Sequence, residues 1–407
     1  MGRFRVYMKT FLPSGQYQAN FTEITKDVIK LGNLSQTLDS GDYDLGISKN
    51  ASVKITMRND TGKYSVPETV TSSFPYKRSE SLIKITWSYR EWELQPGFFI
   101  PGEEPLCGEV ELFKGLLDDI AGQSTITDQD IDFTILGFES LLDKIIVPFT
   151  SISNGDLISE AIYAILNQSK ITNLLTVSLG NILPSEDVTL DDKTSLQNKT
   201  GKEAIKNLLL ISNSILFIKN DTIYVRSRAA NVPIAYNFYG QSSIKGVENI
   251  IDIKNYRDGF NRTLNYWSWE GASYFARDLS SIDKYGVLKR QMKSDLITNA
   301  TSINTLLQSN RDEFANPKTE FNVETPLNYE TKDLFFSDRV TFDYPNVYVP
   351  FEGGLLPRYD QAEVYNGTAR YPYSQMSLTL SDVDNFKILS RLIDTTKQTI
   401  TFGVRKI

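Results

Sequence analysis

Asp128, Asp130 and Asp132 are the residues whose spacing comes nearest to chemistry, because oxygen ligands at alternate positions open a calcium loop. The sixth position of such a loop needs Gly for a sharp turn, and Phe133 stands there. Glu103-Glu104 and Asp118-Asp119 are carboxylate pairs, the minimum that glycoside hydrolysis requires. Carboxylate pairs are also common on solvated turns, and they are read that way here. The chain has no His, which removes the commonest neutral-pH base and metal ligand, and with it any Ser-His-Asp or Cys-His site. Cys107 is the only cysteine, so neither an internal disulfide nor a Cys zinc site can form, and it is read as a small buried filler. No GxxxxGKS-type phosphate loop occurs, and Gly353-Gly354 reads as a turn. No catalytic, cofactor-binding or metal-binding residue is assigned.

A chain of 407 residues exceeds one ordinary core, and two to four domains are expected. Hydrophobic residues at 40% and charged residues at 23% are those of a folded, soluble protein. The 21 Tyr and 22 Phe suit β-rich folds and sizeable interfaces. The net charge of −7, without a basic stripe, argues against a protein that grips nucleic-acid phosphate. No apolar run approaches the roughly 20 residues of a membrane span, and residues 1–11 contain no signal-peptide core.

The patterning is mainly that of strands. Val53, Ile55 and Met57 alternate with Lys54, Thr56 and Arg58, which gives one dry and one wet face. Ile83, Ile85 and Trp87 repeat the pattern, as do Ile131, Phe133 and Ile135. Residues 4–8, 24–31 and 110–115 read as further strands. Between 151 and 230 the period changes. Ile158, Ile162, Ile165 and Leu166 share a helical face behind an N-cap expected at residues 153–156, and a second helix is predicted over 201–212. Residues 215–218 and 222–226 then form a hairpin around Lys219-Asn220-Asp221. From 250 the strand period returns, except for a helix predicted over 295–308 with Leu296, Ala300, Ile303 and Leu307 inward. A terminal hairpin pairs 386–393 with 399–404. Trp267 and Trp269 share a strand face, which suits an interface or core packing before a sugar platform. Tyr348, Phe351 and Tyr359 fall in a Tyr-, Pro- and Gly-rich stretch, 343–385.

Several of these pieces, in order, resemble the tail hub (baseplate hub or tail-tip) proteins of bacteriophages. They are Ser35 to Asp39 followed by Ala51 to Ser65; Leu112-Phe113-Lys114-Gly115-Leu116 followed by Ile131 to Leu142; the hairpin from Ser214 to Val225; Ser281-Ile282-Asp283-Lys284-Tyr285-Gly286; and Asp338 to Phe342, with Ser337 where the family has Gly. The resemblance implies a mainly β chain with two antiparallel, tail-tube-like β-barrel domains and a small α+β domain. Its divisions would be 1–150 (first barrel), 151–232 (α+β insertion), 233–345 (second barrel) and 346–407 (an exposed contact loop and a hairpin completing the second barrel).

It further implies a structural virion protein rather than an enzyme, made in the bacterial host cytoplasm and built without cofactors. A homotrimer would join a hexameric tail tube to a central spike or fibre, beside distal tail proteins, and genomic DNA would pass its lumen without specific binding. The possible interface residues are Trp267, Trp269, Tyr348, Phe351 and Tyr359. Two other functions are weighed against this one: a receptor- or carbohydrate-binding tail protein, and a cell-wall glycosidase using paired carboxylates.

Overall fold

The structure is a computed structural model and describes residues 4–12, 14–37, 46–47, 52–60, 64, 80–90, 107–118, 130–227, 232–240, 249–258, 261–269, 272–328, 330–350, 375–380 and 385–407. The chain is mainly β. Its first part supplies β1 (Phe4–Lys9), β2 (Thr22–Glu23), β3 (Val28–Leu31), β4 (Leu34–Thr37), β5 (Gly46–Ile47), β6 (Ser52–Arg58), β7 (Leu82–Arg90), β8 (Cys107–Leu117) and β9 (Asp130–Gly137). Six of these lie in the order β1-β7-β8-β9-β6-β3, every neighbour antiparallel. The alternation read from the sequence decides which face is dry. Val53, Ile55 and Met57 of β6 are buried, as are Ile83, Ile85 and Trp87 of β7.

The middle of the chain forms α1 (Ile158–Leu166), α2 (Ser169–Thr172), β10 (Ile182–Leu183), α3 (Gly201–Ile211), β11 (Ser214–Lys219) and β12 (Thr222–Ser227). Helix α1 begins one residue later than expected, because Asp156 turns back to accept the Ser153 N–H and Leu157 takes the cap position. A capping box starts α3, with Thr200 Oγ1 accepting the Glu203 N–H and the Glu203 carboxylate accepting the Thr200 N–H. Asn220 and Asp221 both take positive φ, the geometry of a two-residue hairpin turn, between β11 and β12. The small sheet is β10-β12-β11-β5, so β5 leaves the first part of the chain to pair with β11.

The last part supplies β13 (Ile234–Tyr239), β14 (Asp252–Asp258), β15 (Leu264–Trp269), β16 (Ala272–Arg277), α4 (Leu279–Tyr285), β17 (Lys289–Met292), α5 (Ala300–Phe314), β18 (Thr319–Pro326), β19 (Arg339–Pro350), β20 (Gln375–Leu380), β21 (Asn385–Asp394) and β22 (Thr399–Lys406). Six of these lie in the order β13-β19-β21-β22-β18-β14. Strands β15, β16 and β17, which the sequence reading counts toward a second barrel, form a separate sheet, β16-β15-β17, inserted between β14 and β18. Helix α5 starts at Ala300, five residues later than expected. Asn299 Oδ1 accepts the Thr301 and Ser302 N–H groups there, and Leu296 and Ile297 are buried in the preceding loop.

Numbered by position in the chain, the two six-strand sets share one order: first, fourth, fifth, sixth, third, second. They differ in the direction of the first strand, for β1 runs antiparallel to β7 whereas β13 runs parallel to β19. Their edges are fastened alike. In the first set Ile24 N–H donates to Val6 O (2.8 Å) and Val6 N–H donates to Thr25 Oγ1 (3.0 Å). In the second, Asn249 N–H donates to Tyr239 O (2.9 Å) and Tyr239 N–H donates to Asn249 Oδ1 (2.8 Å). Each clip ties the first strand to the chain entering the second, across the open side of the sheet. One hydrophobic core runs through both sets, and another joins the middle region to α5 and the inserted sheet. Among the described residues no helix is long and apolar enough to cross a membrane.

Candidate functional site at the seam between the two sheets

The two sets are stitched into one sheet by strands that change partners midway. Strand β3 pairs with β6; past Gly32 the chain bends, and β4, bridged to β6 on one edge at Ser35↔Ser52, pairs on the other with β21 in the register Leu34↔Ile393, Ser35↔Leu392, Gln36↔Arg391 and Thr37↔Ser390. Strand β21 makes the complementary switch. Residues 385–387 pair with β19 and residues 390–393 with β4, and the change falls at a bulge between Ile388 and Ser390. A bulge bends its strand and sharpens the local twist, which is what leaving one partner for another requires. Gly403 lies opposite, its N–H donating to Ser390 Oγ (3.1 Å), and a Cβ there would land on that hydroxyl. At Gly32 a Cβ would come within 2.9 Å of Lys54 O, a backbone atom. Leu31, Leu34 and Ile393 bury the seam's apolar side.

On the polar side three parts of the chain meet around a cleft of about 70 Å³, lined by β8, by the β11–β12 turn and by the segment before β19. Lys114 of β8 pairs with Asp221 of the turn, and Lys219 pairs with Asp338 (3.4 Å). Lys332 pairs with its neighbour Asp333. Arg391 is 4% exposed; its Nη2 donates to Lys332 O (2.8 Å) and its guanidinium sits 5.6 Å from the Phe335 ring centre. Burial pushes the Arg391 pKa down to about 10, against the pull of Asp333 and Asp338, so the side chain stays charged at neutral pH. Beside it Ile215, Phe217, Phe335 and Phe336 form a small apolar cluster that Leu389, the bulge residue, packs against. With Asp221 and Asp333 held in ion pairs and Lys219 held by Asp338, the cleft is built as a fastening between parts of the chain. Ser337 takes φ +68, a conformation that favours Gly, and its N–H donates to Ile388 O (3.1 Å) at the same bulge.

The residues named from the sequence as candidate interface, metal or carboxylate sites lie elsewhere. Trp267 is completely buried on the inner face of β15 and packs inside the chain. Trp269 and Tyr348 lie in β15 and β19 with their side chains outside the described residues; Phe351 and Tyr359 lie outside them altogether, as do Asp119, Asp128 and Glu103-Glu104. Asp132 faces outward on β9, where Lys54 Nζ approaches Oδ2 (2.6 Å) and the Thr56 hydroxyl donates to Oδ1 (2.7 Å). These two partners hold its carboxyl below the usual range. Glu139, twelve positions into the aspartate run, is buried in the short helix after β9. Among the described residues no group of three or more His, Cys, Asp and Glu side chains gathers. The pairing of β4 with β21 has no local signal in the sequence beyond Gly403, since an isolated Gly inside a strand pattern marks a bulge or a close approach.

No family model matches this chain, and no curated protein does. Solved structures do match. All of the chain aligns with 97% of the tail protein from Neisseria meningitidis MC58, at 8% identity and a TM-score of 0.56. The 43 kDa tail protein of prophage MuSo2 from Shewanella oneidensis aligns over 98% of its length with 99% of the chain, at 11% identity and a TM-score of 0.49. A prophage tail protein from Listeria monocytogenes EGD-e aligns over 94% of its length with 98% of the chain, also at 11% and 0.49. At such identities the first likeness is one of fold alone.

Proposed function

We propose that this chain is a structural component of a phage tail, a hub whose two six-strand sets act as paired barrel-like modules. The observation that carries the reading is their common strand order within one chain. Three such chains arranged about an axis would present six similar modules, so a trimer can meet a sixfold tube on one side and a threefold spike or fibre on the other. A protein with that task must hold two modules at a fixed spacing under load. The β4–β21 ladder and the ion-paired cleft behind it support this, because they fasten both modules and the middle domain at one place. DNA would pass through the lumen of the ring without specific contacts. The carbohydrate-platform reading loses one support, because Trp267 is not on the surface of the chain.

Light scattering on the purified chain tests the assembly. Three times the chain mass is expected, and threefold class averages in negative stain should show six modules. A chain that stays monomeric at high concentration, and alone in the presence of tail-tube protein, would sink the hub reading.

A further inference from the structure

The inserted sheet turns only one face to a core. Its inner side chains, Trp267, Ala276 and Met292 among them, lie in the second apolar core with those of α1 and α3. On the outer face Tyr266 stands between Phe275 and Gln291, and Leu264 between Arg277 and Lys289, each set in register across the three strands. None of these six side chains belongs to an apolar cluster. Tyr266 and Leu264 are half-buried and the other four are exposed, Phe275 by 59%. Arg277 lies 5.7 Å from the Phe275 ring centre, and among the described residues neither Arg277 nor Lys289 has an ion-pair partner. Leu279 and Val287 are exposed at the end of the sheet, where Asp278 N–H donates to Thr263 O (3.1 Å) and Thr263 N–H donates to Leu288 O (3.0 Å). An aromatic centre with an arginine beside it is the composition of a protein interface, and exposed apolar side chains gathered in one place mark such a surface.

The middle domain carries a surface of the opposite charge. Residues 183–188 run beside the start of α1: Ile158 N–H donates to Val188 O (3.1 Å), and the Asp187 carboxylate accepts the Ser159 N–H (2.8 Å) and hydroxyl (2.7 Å). Glu160, Glu186 and Asp187 stand there, and among the described residues none of them is in an ion pair. Leu183 beside them is 54% exposed. Arg226, opposite Leu183 on β12, is turned to the Asn181 carbonyl (2.5 Å). The whole chain is acidic, with a net charge of −7, which disfavours nucleic acid as the occupant of the cationic face. Because the inner face of the sheet and the middle domain share one core, the outer face points away from that domain. The two surfaces therefore meet only between copies.

We propose that the outer face of the inserted sheet docks on the acidic surface at the start of α1 in a second copy of this chain. Opposite charges orient the approach, and Phe275 with Tyr266 supplies the desolvated anchor. The contact joins two different surfaces, so each copy offers its sheet to one neighbour and its middle domain to the other, and a ring results where the rotation closes. The number of copies, three, rests on the hub reading; the contact itself does not.

The test is light scattering over a concentration series of the intact chain and three variants. A parent trimer is expected. Arg277→Glu/Lys289→Glu changes two exposed side chains, so it should keep the parent's circular-dichroism spectrum and weaken assembly at least about a hundredfold. Phe275→Ser should weaken it about tenfold. The third variant adds Glu186→Lys to the sheet reversal; the Glu186 side chain takes no hydrogen bond among the described residues. It should recover at least about tenfold of the lost assembly, a gain that a merely damaged fold would not give. A trimer that survives the sheet reversal, or a third variant no better than the sheet reversal alone, overturns the proposal and leaves the hub reading standing. An assembly of another number that the sheet reversal dissolves keeps the contact and ends the three-copy hub. A parent that is monomeric at every concentration overturns both.

Discussion

The two six-strand sets reach one topology with different interiors. The first fills its core with aliphatic side chains, among them Val6, Val53, Ile55, Ile83, Ile85 and Ile135, around Trp87 and Phe133. The second puts one Phe from each of five strands at its centre: Phe238, Phe321, Phe342, Phe386 and Phe402. Phe342 stacks on Phe238 at 4.9 Å between ring centres and meets Phe321 (5.0 Å) and Phe386 (5.2 Å) edge-on. Strand order therefore does not depend on a shared set of core residues. It depends on which faces are dry and on where the chain crosses from sheet to sheet, and interiors of quite different shape satisfy both demands.

The largest effect should come from the aromatic centre. Phe342→Ala is expected to cost about 3–5 kcal/mol, against about 0.5–1.5 kcal/mol for Ile85→Val in the first set. Because one core runs through both sets, Phe342→Ala should lower amide-exchange protection in β7 as well as in β18. Loss confined to the second set would show that the seam does not couple the modules.

Next come the two bends. Gly32→Ala meets a carbonyl of the facing strand and should cost about 1–3 kcal/mol by urea unfolding. Gly403→Ala displaces a serine hydroxyl and should cost only about 1 kcal/mol. Equal losses would refute the distinction between a backbone-limited and a side-chain-limited bend. The edge clips give a smaller contrast. Asn249→Ala removes the acceptor of the Tyr239 N–H and the 2.8 Å donor to the Tyr236 hydroxyl, and should cost about 1–2 kcal/mol. Thr25→Val removes the acceptor of the Val6 N–H and a long donation to Val6 O (3.5 Å), and should cost about 1 kcal/mol, read from the shift in melting temperature.

The smallest effect belongs to the exposed face of the first set. Asp132 has a folded pKa below its unfolded one, so its pairing with Lys54 stabilises above the ordinary carboxylate range and is lost as pH falls below about 4. Both side chains are about half exposed or more, which holds the contribution to a few tenths of a kcal/mol. Asp132→Asn should flatten the acid limb of the stability curve by that amount and change nothing at pH 7 beyond it. An unchanged acid limb would remove the pair from the account.

Much of the local structure was legible in the residues. The dry faces of β6, β7 and β9, the helix at 201–211 and the 219–222 turn follow from period, caps and turn chemistry that act over a few residues. The same local rules left errors of one residue at α1 and five at α5, where a side-chain acceptor outweighed the helical spacing. The candidate site was not legible. Arg391 and Lys332 carry no local signal in the sequence, and only the meeting of distant parts of the chain buries them.

The amino-acid order alone determined which side chains of each strand avoid water, where chain direction reverses, and that no histidine chemistry or internal disulfide is available. Tertiary structure decided which sheet each strand joins. An alternating pattern specifies a dry face but not the partner that dries it, so β15 could leave the large sheet with its tryptophan, and β4 could cross to β21, with no change in their periodicity. The choice of partner is set by contacts between residues more than 300 positions apart, such as Leu34 with Ile393, and no local rule reaches that far.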